Sequence, residues 1–300
     1  MEQHQSATQR PASRLAVGVV SAGRVGATVG AALTRAGHRV VAASAVSDAS
    51  LARAARHLPG AEILPPPDVA AAADLLLIAV PDDAIAPLVA SLPVRPGQIW
   101  AHTSGALGAD VLRPAREAGA LTLALAPAMT FTGRDEDLER LQGISWAVTG
   151  EAEARFVGEA LALELGGEPE HVEEADRARY HAALVYAANH LSTLVNDAVE
   201  QLRAIGVAAP ERLLTPLVSA SLDNALRHGD AALTGPVSRG DAGTVARHLA
   251  ALEGTGVEYA YRAMARRTAE RALASGRLKS ADAEGLLDVL AHPEKEETSE

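Results

Sequence analysis

The chain has 300 residues, 48% hydrophobic but only 3% aromatic, enough for one large or two ordinary domains with cores of Ala, Leu and Val. It has no cysteine, and only two of its 27 basic residues are lysines, Lys279 and Lys295. These counts exclude disulfide scaffolds, thiolate metal sites and a Cys nucleophile, and they leave the first 278 residues without a lysine for Schiff-base or general-acid chemistry. The net charge of −11 argues against a nucleic-acid binder, which needs clustered Lys and Arg.

Residues 1–13 are polar and read as a disordered N-terminus without the apolar core of a signal peptide. Residues 14–20 read as a strand, 24–36 as an Ala-rich helix, and Gly37-His38 as its stop. Apolar runs at 39–45, 75–80, 99–103, 121–125 and 144–149 are further strands, followed by a helix at 151–165 and an extended piece at 170–172. Strands apolar on both faces and separated by helices predict an α/β domain over residues 14–175, with a parallel sheet covered on both sides. From residue 176 strand signals stop, and 176–291 read as an all-helical second domain opening with a continuous helix over 177–205. Leu214, Leu217, Val218, Ser221, Leu222 and Ala225 have the spacing of a buried stripe, and Val257, Tyr261, Met264 and Thr268 repeat at helical intervals in a later helix. Residues 292–300 read as an acidic, disordered tail. The most apolar run, 69–81, is broken by Asp74 and too short to span a bilayer, so a cytoplasmic protein without membrane contact is expected.

After the first strand stands Ser21-Ala22-Gly23-Arg24-Val25-Gly26, a G-x-G-x-x-G pattern with Ser in the first place. Its strand–turn–helix context is that of a Rossmann-type dinucleotide fingerprint, in which bare backbone and helix N-terminal amides meet a pyrophosphate. A glycine-rich packing turn that binds nothing is the alternative. Past the second strand, Ser44-Ala45-Val46-Ser47 offers small hydroxyls where an NAD enzyme usually has a carboxylate. That leaves room for a 2′-phosphate and favours NADP(H) over NAD(H), unless Asp48 swings back to the ribose. Val80 and Pro81 end the next apolar strand at the same sheet edge, and Asp82 or Asp83 either joins the site or caps the following helix. Ser104 either holds nicotinamide or substrate, or caps a helix starting near Ala106.

Two segments of the helical half could carry chemistry. His181 and Asn189 are eight residues apart, about 12 Å along a helix and about 80° around it. With no lysine at hand, a His, a Tyr or water must supply any proton, and Asn189 suits a carbonyl oxygen or carboxamide. Core packing and interhelical hydrogen bonding are their structural alternatives. In the loop 233–241, Thr234 and Arg239 could receive a carboxylate, with Asp241 capping the next helix through Thr244. A rigid turn with Arg239 in an ordinary ion pair is the alternative there. No residue pattern suggests a metal site.

Six motifs together carry a resemblance: VGVVSAGRVGATVG, AVPDDAI, WAHTSGALG, APAMTFTG, YHAALVYAANHL and LTGPVSRGDAGTVARHL. From about residue 14 to 290 the chain resembles the Rossmann-like oxidoreductase family that carries a C-terminal helical domain of unknown function 2520. That group is similar to pyrroline-5-carboxylate, ketopantoate and deazaflavin-dependent NADP reductases. The resemblance implies a homodimer that uses NADPH to reduce a C=O or C=N of a small carboxylate. Ketopantoate, in pantothenate biosynthesis, is the first substrate it suggests and a cyclic imine the second. By analogy with pyrroline-5-carboxylate reductases, the Thr234–Arg239 loop would meet the carboxylate. The family usually has His-Pro where this chain has Ala126-Pro127, so a non-catalytic NADP(H)-binding protein is the third reading.

Overall fold

The computed structural model describes residues 14–291. The segments 1–13 and 292–300, expected to be disordered, lie outside the described residues. The chain begins with β1 (Ala16–Val20), α1 (Arg24–Arg35), β2 (Arg39–Ala43), α2 (Asp48–His57) and β3 (Glu62–Ile63). It continues through α3 (Pro66–Ala72), β4 (Leu75–Ile78), α4 (Asp82–Val89), β5 (Ile99–His102), a 3₁₀ turn (Ala109–Leu112) and α5 (Arg113–Glu117). β6 (Leu121–Pro127), α6 (Glu136–Arg140), β7 (Ser145–Gly150), α7 (Ala152–Glu164) and β8 (Glu168–His171) complete the α/β part.

One eight-stranded sheet results, ordered β3-β2-β1-β4-β5-β6-β7-β8. The continuous apolar runs arise because both faces are covered. In β4, Leu75 and Leu77 join one core cluster with Val17, Val19 and Val29, while Leu76 and Ile78 join another with Trp100 and Val69. α1 lies close on the sheet because Gly30 leaves room for it: a Cβ there would stand 2.8 Å from Leu58 and 3.1 Å from Val19.

Two features depart from the sequence reading. β7 runs antiparallel to β6, Pro127 pairing with Trp146, and β8 follows β7, so the sheet is mostly rather than wholly parallel. The physical reason is the connection: only the five-residue α6 lies between β6 and β7, and the chain returns at the edge it left, with no crossover across a face. β3 was not expected because it has only two residues, both exposed.

Among the described residues, the elements after β8 are helices: α8 (Arg177–Ala204), α9 (Pro210–His228), α10 (Gly235–Ser238), α11 (Ala242–Leu252), α12 (Glu258–Ala274) and α13 (Ser280–Leu290). Structural class thus changes after His171, while packing divides the chain into two compact units inside α8, between Leu191 and Ser192. The second unit has its own core of Val237, Val245, Leu249, Ala269, Leu286 and neighbours from α10 to α13. α9 contributes little to it. Of the expected stripe only Leu214 is buried, whereas Leu217 is 58% exposed and Leu222 46%. In α12 the buried residues are Arg262, Ala265, Ala269 and Ala272, with Tyr261 partly buried against the same core. Small alanines pack closely there, and the Arg262 guanidinium donates to the carbonyls of Val289 and Ala291 at the end of α13. Among the described residues no helix is long and apolar enough to cross a membrane.

Candidate active site

The turn after β1 is built from sterics. Ser21 takes a left-handed conformation, φ 76°, which a side chain adopts only at a cost. Its N–H donates to Ser44 Oγ at 2.8 Å, and the Ala22 N–H donates to the Ser44 carbonyl at 2.8 Å, so β2 holds the turn in place. Ala22 is fully buried and Val25 packs against the core. A Cβ on Gly26 would collide with the Ser21 carbonyl, whereas one on Gly23 would meet only Ser21 Oγ, at 3.4 Å. Gly23 is the N-cap of α1 and makes no side-chain capping bond, leaving the first-turn amides of Arg24, Val25 and Gly26 without intrahelical partners. Bare backbone, unpaired amides and the positive end of a helix dipole fit a pyrophosphate.

Beside this turn opens a cleft of about 490 Å³, lined by Ser21, Gly23, Ser44, Val46, Ser47 and Val80. Ser47 caps α2 in a reciprocal box with Ser50, which fixes the loop after β2. Val46 is 95% exposed and offers an apolar face to the cleft. Pro81 is the N-cap of α4, with Asp82 and Asp83 in its first turn rather than capping it. Arg53, Ser50, Pro66 and Leu88 also line the cleft. Of these, Arg53 carries the chemical signal: its Nε is buried with no hydrogen-bond partner among the described residues. Asp48 lies exposed in the first turn of α2 and does not line the cleft. In the sequence Arg53 stands just beyond Asp48 without an assigned role, and its place in the cleft is evident only once α2 is folded beside β2.

A second cleft, of about 410 Å³, takes Ala126 to Thr130 from the end of β6, Gly105 from the loop after β5, and Tyr180, His181 and Asn189 from α8. Two of the expected residues, His181 and Asn189, therefore share one concavity. The His181 ring packs on Gly105, where a Cβ would stand 2.7 Å from Cδ2. Ala126 is buried at 3% exposure and lines the same cleft.

The loop carrying Gly105 is held by His102, which is fully buried. The Ser104 N–H donates to His102 Nδ1 at 3.2 Å, so Nε2 carries the proton and donates to the Gly108 carbonyl at 2.8 Å. Burial pulls the His102 pKa down to about 4, keeping the ring neutral. Ser104 is buried, and its Oγ accepts from the N–H groups of Ala106 and Leu107. It caps a bend leading to the 3₁₀ turn rather than a helix, and it does not line the cleft.

In the second unit, Thr234, Ser238, Arg239, Leu233, Gly276 and Arg277 line a cleft of about 400 Å³. Gly235 makes the sharp entry to α10 with φ 90°, and Asp241 caps α11 by accepting the Thr244 N–H at 2.9 Å, as its spacing predicts. Two guanidinium-bearing residues and a hydroxyl on one concave surface suit an anion. Arg277, remote in sequence from the loop, is the member that sequence reasoning missed.

Two family models match the chain: a Rossmann-like domain over residues 1–127, and a domain of unknown function, DUF2520, over residues 144–268. Both agree with the resemblance read from the sequence motifs. No curated protein matches the chain. Among solved structures, a candidate NADP oxidoreductase from Bacteroides fragilis is similar at 21% identity and a TM-score of 0.74, covering 86% of this chain and 98% of its own. A reductive aminase from Aspergillus terreus, in complex with NADPH and ethyl-5-oxohexanoate, is 19% identical with a TM-score of 0.65, covering 88% and 96%. An imine reductase from Myxococcus stipitatus, in complex with NADP+, is 18% identical with a TM-score of 0.63, covering 87% and 95%. At these identities the likeness establishes a shared fold.

Proposed function

We propose, from the premise that the chain belongs to the Rossmann-like family carrying a C-terminal DUF2520 domain, that it is an NADP(H)-dependent oxidoreductase. The observation that carries this reading is the pair of clefts at the carboxyl ends of β1 to β6, where open α/β sheets bind ligands. The Gly23–Gly26 turn would hold the pyrophosphate, and Ser44, Ser47 and the buried, unpaired Nε of Arg53 favour a 2′-phosphate over a bare ribose. When bound, the reduced nicotinamide supplies the hydride.

The chain's own part is to place and polarise the acceptor. His181, fixed against Gly105, and Asn189 would hold the carbonyl or imine beside Ala126. The substrate class is a small carboxylate bearing C=O or C=N; within the second unit, Thr234, Arg239 and Arg277 line a cleft suited to an anion. Reduction of ketopantoate to pantoate is the leading reaction. An imine is the second reading, and the likeness to an imine reductase and a reductive aminase speaks for it. The exposed Leu213, Leu217, Leu222 and Leu226 of α9 support a homodimer formed through that helix.

The test is oxidation of NADPH and of NADH, followed by loss of reduced-nicotinamide absorbance, against a panel of 2-oxo acids and cyclic imines. Turnover of one class with NADPH preferred is expected. Tight NADPH binding with no turnover by any member, restored by Ala126→His, would instead favour the non-catalytic binding protein.

A further inference from the structure

Arg177 is the first residue of α8, and its burial is unusual for a charge: it is 1% exposed. Its Nε donates to Thr149 Oγ1 at 2.8 Å and its Nη2 to the Ala147 carbonyl at 3.3 Å. Nη1 is buried with no partner among the described residues. Thr149 in turn donates to the Val172 carbonyl, so the guanidinium is anchored to β7 and to the chain leaving β8. All these acceptors are neutral. A guanidinium buried on neutral partners keeps most of its desolvation cost, and such a charge persists when it acts on something else. Burial lowers its pKa only to about 10, so it stays charged at neutral pH.

One helical turn further along α8 stands Tyr180, half-buried and lining the same cleft as His181 and Asn189. Residues three apart on a helix are neighbours. We propose that Tyr180 is the proton donor of this cleft, and that Arg177 is the positioning residue whose buried charge makes its phenolate accessible. The proposal rests on the reductase reading and deepens it.

The step balances. The acceptor carbon gains a hydride from the reduced nicotinamide, and the C=O or C=N π pair takes the proton of the Tyr180 hydroxyl. The O–H bond of Tyr180 breaks, its electron pair stays on the phenolate oxygen, which the Arg177 charge favours, and water returns the proton. The chain has no lysine before Lys279 to do this work. Burial pushes the Tyr180 phenol above its ordinary range, the Arg177 charge opposes that rise, and Glu170 on β8 adds to it. Glu174 acts on Arg177 itself, and His102 on β5 feels the guanidinium while remaining neutral. His181 neighbours Tyr180 in the chain and in the cleft.

The experiment has two arms on the full chain. The first needs no cofactor: tyrosinate absorbance is titrated in wild type, Tyr180→Phe, Arg177→Gln and Arg177→Lys, the Tyr180→Phe difference isolating Tyr180 from the other three tyrosines. Arg177→Gln should raise the Tyr180 midpoint by about one pH unit or more, and Arg177→Lys should restore it. Thr149→Val, which loosens the guanidinium without deleting it, should shift the midpoint the same way by less, and it serves where Arg177→Gln does not fold. The second arm measures turnover. Tyr180→Phe should lower kcat about 100-fold and change its pH dependence, with the NADPH Kd unchanged. A Tyr180 midpoint indifferent to Arg177, or Tyr180→Phe with wild-type kcat and pH profile, overturns the proposal. A chain that turns over no substrate, yet shows the coupled titration, sinks the reductase reading and leaves the Arg177–Tyr180 pairing standing.

Discussion

His181 rests on bare backbone: the ring lies against Gly105, and an added Cβ would sit 2.7 Å from its Cδ2. Gly105→Ala must therefore turn the ring away while leaving the fold and the cofactor cleft alone. The expected result is a fall of about 10- to 100-fold in kcat/KM, the usual scale for misplacing a positioned group. The NADPH Kd should be unchanged in a fluorescence titration. Unaltered kcat/KM would remove His181 from the mechanism.

Arg53 gives the sharpest handle on cofactor choice. A charge-assisted bond to a phosphate contributes roughly 1.5–3 kcal/mol. Arg53→Ala should weaken NADPH binding about 10- to 100-fold and leave NADH binding nearly unchanged. Equal losses for both cofactors would show that Arg53 shapes the cleft without reading the phosphate.

The buried His102 ties stability to acid pH. Its folded pKa, about 4, lies below the unfolded value of 6.5, so the unfolded chain takes up the proton first. Stability is therefore complete above pH 6.5 and is lost as pH falls from 6.5 toward 4. The loss from this group should approach roughly 3 kcal/mol, at 1.36 kcal/mol per pH unit. Urea denaturation across this range should show a drop that is smaller in His102→Asn, although that variant starts lower because the Ser104–Gly108 loop loses its anchor. An identical pH slope in both proteins would contradict the assignment.

Ser21 occupies a conformation that glycine adopts freely. Ser21→Gly should stabilise the first unit by about 0.5–1 kcal/mol, because relief of left-handed strain exceeds the added freedom of the unfolded chain. A thermal melt should move up by a few degrees. A lower melting temperature would mean that the Ser21 hydroxyl has a structural role beyond the turn.

What could be read in advance was what local chemistry decides. Four consecutive apolar residues in β4, or Ser21 to Gly26 between a strand and a helix, carry their own explanation. The direction of β7 does not, because it depends on how the chain returns after β6. The exposure of Leu217 and Leu222 on α9 does not either, because it depends on which neighbours cover that helix. His181 and Asn189, singled out by their match to the family pattern and their placement eight residues apart on one helix, share one cleft. Arg277, the isolation of Arg177 and the place of Arg53 in the cleft were hidden, because each is defined by neighbours distant in sequence.

α9 offers its leucines outward: Leu217 is 58% exposed and Leu226 79%, and only Pro210 and Leu214 are buried. A helix with so little burial owes its stability to whatever covers it. With a second copy as the cover, part of each chain's folding free energy is held in common, and dilution acts as a denaturant. The melting temperature should climb with protein concentration, and Leu217→Glu should flatten that dependence while shifting the species seen in sedimentation to the monomer. The chain's resistance to heat then becomes a property of how much of it is present, as well as of its sequence.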